Sequence, residues 1–153
     1  MEKTTNTLTS ILKKTSPDKV SEYLETYSDE MISSSKPFAL YMRETIKQKG
    51  LQQQQVFLDA NISSGYGYKI LSEEKRTKQR DTIIRICLAA HFSLDEVQRA
   101  LKIYGMSPLY PRLSRDALLI VAFNQKMWSI EEVDNYLTGN NEAPLKGAVS
   151  IDE

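Results

Sequence analysis

The sequence predicts an all-α protein built from a five-helix domain, an N-terminal helical extension and a C-terminal helical hairpin. Three observations lead there. Residues Leu51 to Leu71 divide into two short apolar-faced segments about a tight turn. A block of capping and apolar residues beginning at Ser93 recurs 36 residues later at Ser129. The segments around both features carry apolar residues at the 3.6-residue spacing of amphipathic helices.

In chain order, Thr7 to Lys14 reads as a short helix with Leu8, Ile11 and Leu12 on one side. Ser16-Pro17-Asp18 is a start signal: an N-cap hydroxyl, a proline at the first helical position and an acid in the first turn. The helix it opens shows Val20, Tyr23, Leu24 and Tyr27 on one face. Residues 1–35 form the extension, expected to pack back on the core rather than to dimerise or contact a partner. Ser33-Ser34-Ser35-Lys36-Pro37 reads as a linker, and Pro37 opens a helix with Phe38, Met42 and Ile46 inward.

The stretch from Leu51 to Leu71 organises the domain. Val56, Phe57 and Ala60 share one face of a helix from about Gln52 to Ala60. Asn61 follows, a residue able to enter the left-handed region at a helix C-terminus. Ile62 is an apolar plug, and Ser63 is an N-cap for a second helix carrying Tyr66, Ile70 and Leu71. Two short helices joined so tightly must cross steeply, the geometry of a helix-turn-helix.

Residues Phe38 to Tyr104 resemble the XRE-type (Cro- and phage-repressor-like) helix-turn-helix family. Phe38 to Lys49 resembles its first helix. GLQQQQVFLDANIS is similar to the family signature G-L-T-Q-x-x-L-A-x-x-x-G-V-S at Gly50, Leu51, Gln53, Val56, Ile62 and Ser63. RDTIIRICLAAHFSLDEV resembles the fourth helix and the start of the fifth. The resemblance implies a regulator binding double-stranded DNA, dimeric in the manner of the family, with the second helix in the major groove. Carried over residue by residue, Ser64, Gly65 and Lys69 face base edges with Tyr68 among them. Gln53 holds a phosphate, and Ser63 caps the helix and points its positive end at the backbone. Lys75, Arg76, Lys78 and Arg80 follow as phosphate contacts. Ser64 and Gly65, however, lack the bidentate groups of good base readers. Gly67 stands where the family buries an aliphatic residue, and each glycine inside a helix costs about 1 kcal/mol relative to alanine.

The internal repeat covers the rest. Ser93, Leu94, Asp95, Glu96, Val97, Leu101, Pro108 and Leu109 recur as Ser129, Ile130, Glu131, Glu132, Val133, Leu137, Pro144 and Leu145. Upstream, Arg80-Asp81 recurs as Arg115-Asp116 at an offset of 35, so one residue is inserted between the two blocks. Each copy reads as an apolar helix, an S-x-x-E capping box and a second helix. Stacked, the copies suggest a short helical array. The domains expected are therefore 1–35, a helix-turn-helix domain over 36–106, a hairpin over 107–145 and a mobile tail over 146–153. Phe123, Met127, Trp128 and Tyr136 give the second copy its aromatic weight; if exposed, Met127, Trp128 and Tyr136 form a partner surface.

Composition excludes several classes. Formal net charge is zero, so no global field draws the chain to nucleic acid or to an anionic membrane. The charge is unevenly spread: residues 36–81 hold nine Lys/Arg against five Asp/Glu, a local +4 that coincides with the helix-turn-helix. One Cys and one His allow neither a disulfide nor a zinc site; Cys87 reads as core, and His91 as a helix-end cation. No phosphate loop or catalytic constellation is present, so neither an enzyme nor a cofactor is expected. No apolar run reaches spanning length and no signal peptide is legible, which predicts a cytoplasmic protein without a membrane partner. A second function fits the same residues: a helical protein-interaction module that keeps the scaffold without reading bases.

Overall fold

In the computed structural model, which describes residues 4–27 and 36–147, all regular structure is helical. Contacts divide the chain into two units, Met1–Ser35 and Lys36–Glu153. The first holds α1 (Thr5–Lys13), a single 3-10 turn (Pro17–Lys19) and α2 (Val20–Thr26). Thr4 caps α1 by accepting the Thr7 N–H at 3.1 Å. Ser16 donates to Asp18, which holds that exposed carboxyl below its ordinary value. Residues 33–35 of the expected linker lie outside the described residues; Pro37 does open the next helix.

The second unit contains α3 (Pro37–Gln48), α4 (Gln53–Asp59), α5 (Ser64–Leu71), α6 (Arg80–Ala89), α7 (Leu94–Tyr104), α8 (Ser114–Asn124) and α9 (Ile130–Gly139). Its axle is α6, buried at every position from Asp81 to Ala90. Helices α4, α7 and α9 pack against it, and α3 packs on α5 and α7. Phe38, Phe57, Phe92, Tyr104 and Phe123 fill the core between them. Truncating one such phenylalanine to alanine costs about 3–5 kcal/mol. The N-terminus of α3 is held by Glu73, whose Oε2 accepts the Ala39 N–H at 3.1 Å. An acid at that end also complements the helix dipole.

One joint leads into each of three serine-capped helices, and the same left-handed exit also ends α3, α7 and α9 at Gly50, Gly105 and Asn141. Asn61, His91 and Lys126 take left-handed φ values of 58°, 60° and 59°. In each case the next residue's N–H reaches back five positions: Ile62 to Phe57 O (2.9 Å), Phe92 to Cys87 O (3.0 Å) and Met127 to Ala122 O (3.0 Å). That bond satisfies a carbonyl the helix leaves free. Ser63, Ser93 and Ser129 then cap α5, α7 and α9 by accepting the N–H three residues on. The inserted residue of the repeat is Trp128, between the third plug and its serine. The capping box expected in both copies is complete only in the first, where Glu96 returns a bond to the Ser93 N–H at 2.8 Å. Ser129 enters its helix with ψ 126° against 168° at Ser93, and only its half of the box forms.

The two copies are related by exchange, not by translation. Arg80 donates to both carboxylate oxygens of Asp116 and to Ser107 O and Pro108 O. Arg115 donates to both oxygens of Asp81 (3.0 and 2.9 Å) and to Ala143 O and Pro144 O. Asp116 also accepts the Tyr110 N–H, and Asp81 the Lys146 N–H. Likewise α6 packs on α9 as α7 packs on α8. A translational array would send each copy's contacts onward to a third. Here they return, as across an isologous two-fold interface. Two expectations change accordingly. The hairpin is not a domain apart from residue 107, because Leu119, Phe123, Val133 and Leu137 share the core of α3–α7. Lys146, the first residue of the expected tail, is bound through its N–H to Asp81 and through its carbonyl to Arg85, and residues 148–153 lie outside the described residues.

Burial raises the Asp81 carboxyl, but the Arg115 and Lys146 donors outweigh it and hold the group below its ordinary value. Glu96 is lowered in the same way, with Lys49 and Ser93 overcoming burial. A folded value below the unfolded one gives stability that is complete above about pH 4 and lost as pH falls through the lowered value. Acid titration followed by circular dichroism is therefore expected to show stability falling below about pH 4. Asp81→Asn should lower stability at neutral pH and make that acid limb shallower.

Candidate functional site

The exposed surface around the α4–α5 joint is built from the residues the sequence singles out. Asn61 turns the chain, Ile62 is buried beneath it, and Ser63 fixes the start of α5. Tyr66, Gly67, Ile70 and Leu71 face inward, which leaves Ser64, Gly65, Tyr68 and Lys69 outward on one face. Tyr68 is 46% exposed, and its ring stands edge-on to Phe57 with centroids 4.9 Å apart. Gln53 is the first residue of α4 and is half-buried. The exposed Leu58 lies on the same helix.

The two glycines of α5 have different reasons. A Cβ on Gly67 would lie 2.5–2.7 Å from the Phe57 ring, so the helix can approach that ring only with a glycine there. The space a side chain at position 67 would need is taken instead by the Phe57 ring from α4. A Cβ on Gly65 would meet nothing within 4 Å. Packing does not require that glycine, and its position leaves the helix backbone open on the outward face.

The basic segment after α5 does not act as a set. Arg80 has its guanidinium committed to Asp116 and two carbonyls, so the phosphate contact expected of it is incompatible with the fold. Arg76 donates through Nη2 to Tyr104 O, lies 4.1 Å from the Tyr104 ring centroid and pairs with Glu73 at 3.7 Å. Lys75 is half-buried, its Nζ 5.5 Å from the centroid of Tyr66. Lys78 is exposed, as is Lys69 on α5. The segment is thus mainly a clasp between α5 and α7, strengthened where Tyr104 Oη accepts the Thr77 N–H at 2.8 Å.

The aromatic set of the second hairpin is also placed inward. Met127, Trp128 and Tyr136 are half-buried and pack against the core, so the partner surface expected there is not offered. Trp128 stacks on His91 at 5.1 Å and 18°, and His91 takes the left-handed position just past the end of α6. Burial pushes the Cys87 thiol well above its ordinary value, consistent with core packing. Among the described residues no His, Cys, Asp and Glu groups are placed to hold a metal ion, and no helix is long and apolar enough to cross a membrane.

Sequence reasoning missed Arg85, the one cation in the apolar run of α6. It is 4% exposed; its Nε donates to Ala60 O at 3.0 Å, and its Nη1 to Leu145 O and Lys146 O at 3.3 Å. Burial lowers its pKa, against the pull of Asp134 and Asp81. Arg85 thereby ties the end of α4 to the last described segment. A lone arginine inside Ile83-Ile84-Arg85-Ile86 was the available signal. Comparison with family models, curated proteins and solved structures finds no match to this chain.

The glycine pair gives a direct check. Gly67→Ala should destabilise the fold, because overpacking costs about 1–3 kcal/mol and exceeds the gain in helix propensity. Gly65→Ala should instead stabilise it by about 1 kcal/mol in thermal denaturation. Equal shifts of the two variants would contradict the packing account.

Proposed function

We propose that the α4–α5 pair is a helix-turn-helix of the XRE-like kind and that the protein is a DNA-binding regulator. The observation that carries this reading is the outward face of α5. Its first residues are capped by Ser63, its backbone is open at Gly65, and Ser64, Tyr68 and Lys69 are exposed beside it. A helix N-terminus with free N–H groups suits a phosphate, and a glycine on the approach face suits close contact with a groove wall. Gln53 stands at the start of the preceding helix, where a phosphate would be met first. The contact is modest in charge: Lys69 and Lys78 supply it, while Arg80 is committed to Asp116 and the exposed Arg76 is tied to Tyr104 and Glu73. Base reading by Ser64 and Tyr68 is correspondingly limited, and two copies with recognition helices about 34 Å apart would supply the rest of the affinity.

A second reading, a partner-binding module on the same scaffold, is favoured by one observation. Leu58 and Tyr68 are large, exposed and apolar on the α4–α5 pair.

Binding to a fluorescent DNA pool across a salt series separates the two. The regulator reading predicts a slope of log K against log salt of about −2 per chain. Lys69→Ala or Lys78→Ala should reduce that slope by about 1. Gly65→Ala should weaken binding while stabilising the fold. Arg80→Ala should lower stability without a specific change in slope. No binding at low salt would leave the scaffold reading.

A further inference from the structure

We infer that the cleft between α4, α6 and α9 is a binding site for a cationic amino acid. It encloses about 770 Å³, within the range of small-molecule sites. The buried Arg85, the stacked pair His91 and Trp128, and the carboxylates of Asp59, Glu131 and Asp134 line it.

The pseudo-two-fold makes the α6–α9 junction the counterpart of the α8–α7 junction, and the two do one task with different residues. At α8–α7, neutral Gln98 binds both main-chain groups of Leu109, and the residue equivalent to Arg85 is Ile120. At α6–α9, Asp134 accepts the Leu145 N–H, and Arg85 takes the Leu145 carbonyl. A glutamine thus suffices for the fold, whereas the charged pair leaves groups over. Arg85 is 4% exposed, and its Nη2 donates to no acceptor among the described residues. A buried N–H of this kind calls for a partner. The second carboxylate oxygen of Asp134 likewise accepts no hydrogen bond there. Trp128 is the residue inserted in the second copy, so the repeat has no place for it, and it too lines the cleft. The departures from the repeat therefore gather at one site.

Charge identifies the ligand. The Nη2 of a guanidinium that stays protonated suits a carboxylate. Three carboxylates outnumber that one guanidinium, so a simple anion is repelled and the ligand must carry cations as well. Asp59 spends one oxygen on Gln55 at 2.9 Å, and Glu131 accepts no hydrogen bond among the described residues. A molecule with one carboxylate and two cationic groups, such as lysine or arginine, matches this set: its carboxylate meets Arg85, and its cations meet Asp134, Asp59 and Glu131. This cleft does not depend on the DNA reading and would bind its ligand if that reading failed.

Trp128 is the one tryptophan of the chain, so its fluorescence reports on this cleft. The full chain is titrated with L-lysine, with cadaverine, which lacks the carboxylate, and with L-norleucine, which lacks the second cation; calorimetry runs alongside. L-lysine is expected to saturate at a concentration about tenfold below either control. Glu131→Gln together with Asp134→Asn, which keeps an acceptor for the Leu145 N–H, should raise the L-lysine midpoint about tenfold with an unchanged melting temperature. If the double variant melts early, Glu131→Gln alone should raise the midpoint about threefold. Cadaverine or L-norleucine binding as tightly as L-lysine would overturn the inference. So would an unchanged midpoint in the variants, or neither heat nor a fluorescence change with L-lysine.

Discussion

Two arginine–aspartate pairs, exchanged between the halves of a repeat, hold the larger unit together. Asp81 and Asp116 are nearly buried, and each finds its guanidinium in the other half. A buried carboxylate stripped of its partner costs about 3–5 kcal/mol, so the hairpins cannot separate cheaply. Each arginine also holds the connector that closes its own copy, and each aspartate takes an N–H from the opposite connector. The second polar layer obeys the same symmetry. Gln98 binds Leu109 through both main-chain groups, and Asp134, its counterpart, accepts the Leu145 N–H at 2.8 Å. Closure explains why two copies suffice, where a translational stack needs further repeats to cover its ends.

The candidate DNA-facing surface depends on this arrangement. Arg85 reaches from the buried axle to the end of α4 and to the C-terminal segment at once. The joint that orients α5 is therefore braced by residues 145 and 146, far from it in sequence. Arg76 clasps α5 to α7 through Tyr104, and Glu73 fastens the start of α3. Side chains that look available for phosphates in a linear reading are thus part of the frame, while α5 keeps a small outward face.

Much of the fold was legible because local chemistry fixes it. The helix starts at Ser63, Ser93 and Ser129 and the left-handed exit at Asn61 follow from side-chain hydrogen bonding and backbone sterics within a few residues. The 36-residue repeat was equally visible. Its pairing was not, since an offset reports similarity between copies and not whether contacts translate or exchange. Arg80 looked like a phosphate contact for the same reason: sequence shows a cation but not the aspartate 36 positions away that binds it. The partner surface was sought among the aromatics, whose size favours burial, and Met127, Trp128 and Tyr136 pack against the core.

The central claim is that the exchanged pairs act as buried couplings. A double-mutant cycle on Arg115→Ala and Asp81→Ala, read by denaturant unfolding, measures this most directly. The account predicts an interaction energy of about 2 kcal/mol or more between the two positions. A value below about 0.5 kcal/mol, as for an exposed pair, would contradict it and leave the hairpins joined by apolar packing alone.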